Sequence, residues 1–86
     1  MNYFKKYHII EKMQYNNFGK FLRDKREKMQ ITLNKFALQN DIEPAILSRV
    51  ETQKQGVSLF VLGKIANGFG ITVSELIKEY EVCNNK

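Results

Sequence analysis

The feature that most constrains this chain is a series of helix-start signals set close together, at Thr32, Pro44, Ser58 and Thr72. A Thr or Ser side chain at a helix start accepts a hydrogen bond from an otherwise orphaned backbone N–H. Proline is unfavourable inside a helix, but in the first turn its missing N–H is no loss and its fixed φ is already helical. Thr72 and Glu75 have the spacing of a capping box, in which hydroxyl and carboxylate each satisfy a backbone N–H of the other residue. Stop signals lie between them: the Asn40-Asp41 turn, and Gly68 with Gly70. The segments left over are long enough for short helices only.

Each segment has helical periodicity. A first helix is expected from Asn17 to about Met29, capped by Asn16 or Asn17. Its apolar face is Phe18, Phe21, Leu22 and Met29, and Lys20, Arg23, Asp24, Glu27 and Lys28 lie opposite. The second, capped by Thr32, carries Phe36 and Ala37 to Asn40. The third runs from Pro44 to Glu51 or Thr52 with Leu47 and Val50 inward, and the polar TQKQG connects it to the fourth. Ser58 caps that fourth helix, whose stripe is Leu59, Leu62, Ile65, Ala66 and Phe69. The fifth buries Val73, Leu76, Ile77 and Tyr80. No strand pattern or repeat interrupts this order. The expected class is all-α, five short helices on one core, and the second and third meet across Asp41 to Glu43 in the geometry of a helix-turn-helix.

With 86 residues, 43% of them hydrophobic, the chain suits one compact unit and is too apolar to be disordered as a whole. Cys83 is the one cysteine and His8 the one histidine. No internal disulfide or ligand cluster can form, so a reducing, cytoplasmic setting is expected, with no metal, no cofactor and no enzymatic activity. No apolar run approaches the length of a membrane span, and the opening residues lack a signal-peptide pattern. The formal net charge is +5. Lys5, Lys6, Lys12, Lys20, Arg23, Lys25, Arg26 and Lys28 against Glu11, Asp24 and Glu27 account for all of it, and the chain beyond Gln30 is neutral. A basic end on a neutral body is either the electrostatic footprint of a nucleic-acid binder or a solvated helix face.

The stretches TLNKFALQNDIEPAILSRVE and LFVLGKIANGFGITVSELI resemble the DNA-binding domain of phage Cro and repressor proteins and their Xre-like bacterial relatives. The likeness covers about residues 18 to 80. It rests on Thr32 as cap, Phe36-Ala37, Ile42 after the turn, the Leu47 to Glu51 end of the third helix, and the Ile71-Thr72-Val73 to Leu76 entry into the fifth. The resemblance implies a lambda-repressor-like helix-turn-helix domain over residues 17–80, with an N-terminal extension at 1–16 and a tail at 81–86. It implies a sequence-specific regulator of transcription that binds double-stranded DNA as a homodimer on a two-fold operator, its third helix in the major groove. By position, the DNA-binding residues are Thr32, Leu33, Pro44, Ala45, Ser48, Arg49, Lys54 and Gln55. Arg26 and Glu51 fall where the family has an ion pair between the first and third helices.

The chain departs from the family pattern at several of these places. Leu33 and Pro44 replace glutamines that many members use, Asp41 replaces the turn glycine, and Gln53 replaces the glycine after the third helix. Ser48 and Arg49 are then the expected base readers with hydrogen-bonding groups, while Leu33 and Ala45 suit a thymine methyl. A second reading stays open, a protein-interaction module with Leu33, Pro44, Ala45 and Ile46 as its contact face. Two settings also stay open, a phage or mobile-element repressor and an antitoxin with a toxin as protein partner. In the extension, Tyr3, Phe4, Tyr7, Ile10 and Met13 recur at helical spacing. That segment reads as a helix packed on the core, a dimer-forming segment, or an upstream extension with Met13 as an alternative start.

Overall fold

The computed structural model describes residues 18–84. The expectations for residues 1–16 and for capping by Asn16 or Asn17 lie outside the described residues. Five α-helices follow one another: α1 (Gly19–Lys28), α2 (Leu33–Gln39), α3 (Pro44–Glu51), α4 (Leu59–Gly68) and α5 (Val73–Asn84). The all-α expectation is met, and there is no strand among the described residues.

The start signals act as their chemistry requires. Thr32 Oγ1 accepts from Lys35 N at 3.2 Å and Ser58 Oγ from Val61 N at 3.1 Å. Thr72 N donates to Glu75 Oε1 at 2.9 Å while Glu75 N donates to Thr72 Oγ1 at 3.0 Å, a reciprocal capping box. Pro44 opens α3 behind an extended Glu43.

The helix ends share one device that the start signals do not reveal. The residue after each of the first four C-caps is left-handed: Gln30 (φ 58), Asp41 (φ 59), Gln53 (φ 61) and Gly70 (φ 75). At α2, Ile42 N reaches Ala37 O at 2.8 Å; at α3, Lys54 N reaches Arg49 O at 2.8 Å; at α4, Ile71 N reaches Ala66 O at 3.1 Å. These are Schellman closures, which satisfy carbonyls left over at a helix end and turn the chain back sharply.

One core joins the helices, with Phe18, Leu22, Phe36, Leu47, Leu62, Ile65, Leu76 and Tyr80 almost fully buried. Phe18 and Tyr80 meet edge to face with centroids 5.0 Å apart, and Phe21 packs on Tyr80 at 5.4 Å, which fastens α1 to α5. Phe36 on α2 meets Phe69 after α4 at 5.0 Å. Two residues placed on apolar faces by periodicity are instead exposed, Met29 at 49% and Leu59 at 41%. Both lie at a helix boundary, Met29 as the C-cap of α1 and Leu59 as the first residue of α4. There the chain changes direction and the helical repeat no longer dictates which way a side chain points.

Candidate nucleic-acid interface

The helix-turn-helix is α2, the turn at residues 40–43, and α3. Beyond its core packing, one guanidinium ties its two ends to α1. Arg26 Nε donates to Glu51 Oε2 at 2.7 Å and Arg26 Nη2 to Glu51 Oε1 at 3.0 Å, while Nη1 donates to the Ile31 carbonyl at 2.7 Å. Both side chains are buried, with Arg26 7% and Glu51 6% exposed. The hydrogen bonds to Glu51 raise the Arg26 pKa further, so the group stays charged throughout the accessible pH range. Ile31 precedes the Thr32 cap of α2, and Glu51 ends α3. One planar fork therefore brings the start of α2 and the end of α3 to the same point on α1.

A second tie holds the turn. Lys64 Nζ on α4 donates to the Asp41 carbonyl at 2.8 Å, with the Asp41 carboxylate at 3.5 Å, and lies 4.3 Å from the centroid of the Phe60 ring. Phe60 is 73% exposed.

On α3 the two faces differ sharply. Leu47, Val50 and Glu51 point inward, whereas Ala45, Ser48 and Arg49 are exposed. Thr32, Lys54 and Gln55 are exposed as well, and Leu33, Pro44 and Ile46 are half-buried, with Leu33 and Ile46 packed against the core. The side chains of Ser48, Arg49, Lys54 and Gln55 make no hydrogen bond or ion pair with another described residue. An acid that could have occupied Arg49, Glu51, is committed to Arg26. The Lys54 backbone N–H closes the end of α3 on the Arg49 carbonyl, so Lys54 follows directly on that helix end.

Sequence reasoning passed over Lys35, which is exposed in the first turn of α2 beside Thr32. Its signal was only its place after the cap. The basic α1, by contrast, is largely compensated. Lys20 pairs with Asp24 at 3.1 Å, Arg23 with Glu27 at 3.2 Å, and Lys25 with Glu79 of α5 at 2.7 Å.

Among the described residues no group of three metal-ligating side chains occurs, and no single helix is long and apolar enough to cross a membrane. No protein-family model matches the chain, and no solved structure does. The chain is similar to control protein C.MunI of Mycoplasma sp, with 40% identity over 70 residues that cover 81% of this chain and 92% of that protein.

Proposed function

Because the chain belongs to the family of control protein C.MunI, we propose that it is a DNA-binding transcription regulator that seats α3 in the major groove and acts as a homodimer on a two-fold site. The observation that carries this reading is the division of α3. Its inner residues are locked by core packing and by the Arg26 fork, while Ser48 and Arg49 stand exposed with their hydrogen-bonding groups uncommitted. A rigid helix with free donors on its outer face is what base-edge recognition needs. Thr32, Lys35, Lys54 and Gln55 would meet phosphates around it, and Ala45 a thymine methyl. A domain this small makes few contacts alone, so two copies on half-sites about 34–36 Å apart multiply modest affinities. The relationship to a control protein favours the genes of a restriction–modification system as the regulated ones, over the phage and antitoxin settings.

A protein-docking face on Leu33, Pro44, Ala45 and Ile46 draws less support, since Leu33 and Ile46 spend much of their surface on the core. Selection from a pool of random-sequence duplexes, with complex mass measured by light scattering, tests the proposal. The expected result is enrichment of a two-fold sequence bound by two chains. No enrichment even at low salt would reject it. In the same assay Arg49→Ala should weaken binding to the selected sequence by about 1–3 kcal/mol and relax preference at one base position in each half-site.

A further inference from the structure

Gly19, the first residue of α1, is buried against the last turn of α3. A β-carbon placed there would run into the backbone carbonyl oxygens of Val50 and Glu51, coming within 2.7 Å of the latter. Neither obstacle is the movable end of a side chain. The Val50 carbonyl accepts from Gln53 N at 3.1 Å in the closure of α3, so displacing it means displacing the helix end. Gly19, Leu22 and Arg26 are the buried residues of α1 and recur at one-face spacing. The same face of α1 thus holds the end of α3 twice, through the Arg26 fork on the Glu51 carboxylate and through bare backbone at Gly19.

We propose that Gly19 is a positioning residue: by presenting no side chain to the Val50 and Glu51 carbonyls, it sets how closely α3 lies against α1 and hence the pitch at which Ala45, Ser48 and Arg49 are offered to DNA. The inference rests on the DNA-binding reading for its consequence, and on geometry alone for its cause. A methyl group here forces a shift of up to about 1 Å, because packed interiors have no slack to absorb it. Base-edge hydrogen bonds tolerate less than that, whereas phosphate contacts, which act largely through charge, tolerate more.

The test compares Gly19→Ala with Gly68→Ala, a matched crowding at the far end of α4, where the added carbon meets the Phe36 ring and the Asn40 side chain rather than α3. Two readouts are taken on the full chain. One is the backbone amide and Arg26 Nε–H chemical shifts. The other is the ratio of affinities for the duplex selected by the wild type and for a random duplex of equal length. Gly19→Ala should move the shifts of residues 44–55 and of Arg26 and lower the ratio by about 10- to 100-fold, with random-duplex affinity nearly unchanged. Gly68→Ala should lose stability yet keep the ratio. A folded Gly19→Ala chain with unmoved α3 shifts and an unchanged ratio overturns the proposal, as does an equal fall in the ratio for Gly68→Ala. If Gly19→Ala does not fold, Gly19→Ala on a Gln30→Gly background is read in the same way, and failure of that chain to fold also counts against a role confined to positioning. Moved α3 shifts in a protein whose wild type selects no sequence would uphold Gly19 as the setting of α3 and reject the DNA-binding reading instead.

Discussion

Arg26 joins three parts of the chain with one planar group, and lysine has no geometry to replace it. Arg26→Ala would leave the buried Glu51 carboxylate without a partner, with an expected loss of about 3–5 kcal/mol of stability. Arg26→Lys should recover only part of this, because a single ammonium cannot serve both carboxylate oxygens and the Ile31 carbonyl; urea denaturation of the two variants checks the order. Equal stability of Arg26→Lys and the parent would show that the charge, and not the fork, matters. Tyr80 supplies the pH dependence at this scale. Burial raises its phenol above the ordinary 10.0. Its proton is then held more tightly in the folded than in the unfolded chain, so its contribution is fully present below the unfolded pKa and is lost as pH rises through the folded value. Between about pH 9 and about pH 11 the Tm of Tyr80→Phe should fall less than that of the parent. Parallel declines would acquit Tyr80. The ion pair was legible in the sequence only through the family resemblance. Gly19 was not legible at all, since a glycine opening a helix looks like a weak helix former until α3 is seen to lie against it.

The helices themselves were far easier to read at their starts than at their ends. Thr32, Ser58, Pro44 and the Thr72–Glu75 box act through atoms within three residues, so sequence spacing is already geometry. The exits depend on backbone sign. Three of the four left-handed closures use residues with a β-carbon, and nothing in the side chain of Gln30 announces φ 58. For an L-residue that conformation costs about 1–2 kcal/mol, part of which glycine would return as flexibility of the unfolded chain. Gln30→Gly should therefore stabilise the protein by about 0.5–1 kcal/mol, read as a Tm higher by a few degrees. A Tm at or below that of the parent would mean that the Gln30 side chain makes a contribution larger than the strain. The exposure of Met29 has the same origin, because periodicity says which face is apolar but not where the helix stops, whereas Leu59 is exposed as the first residue of α4.

Across the molecule, charge is distributed differently from what its position in the sequence suggests. Four of the α1 cations are already matched with carboxylates, while Lys35, Arg49 and Lys54 around the helix-turn-helix carry no such pairing among the described residues. Composition could count the charges but could not show which were neutralised, as Lys25 illustrates by reaching Glu79 across the fold. If Lys35 and Lys54 make the charged phosphate contacts of the described residues while Arg49 reads a base, the logarithm of affinity should fall with the logarithm of salt at a slope of about −2 for each bound chain. Lys54→Gln should flatten that slope by about 0.9, and Lys20→Gln should leave it unchanged. A slope that responds to Lys20 and not to Lys54 would move the phosphate contacts to α1. The separation within α3 has a consequence for descent. Positions 45, 48 and 49 touch solvent while positions 47, 50 and 51 touch the core, so a lineage can rewrite the outer three without repacking the inner three. Related chains can then diverge in the sites they answer to while inheriting one scaffold, and neighbouring copies in a genome need not interfere with one another.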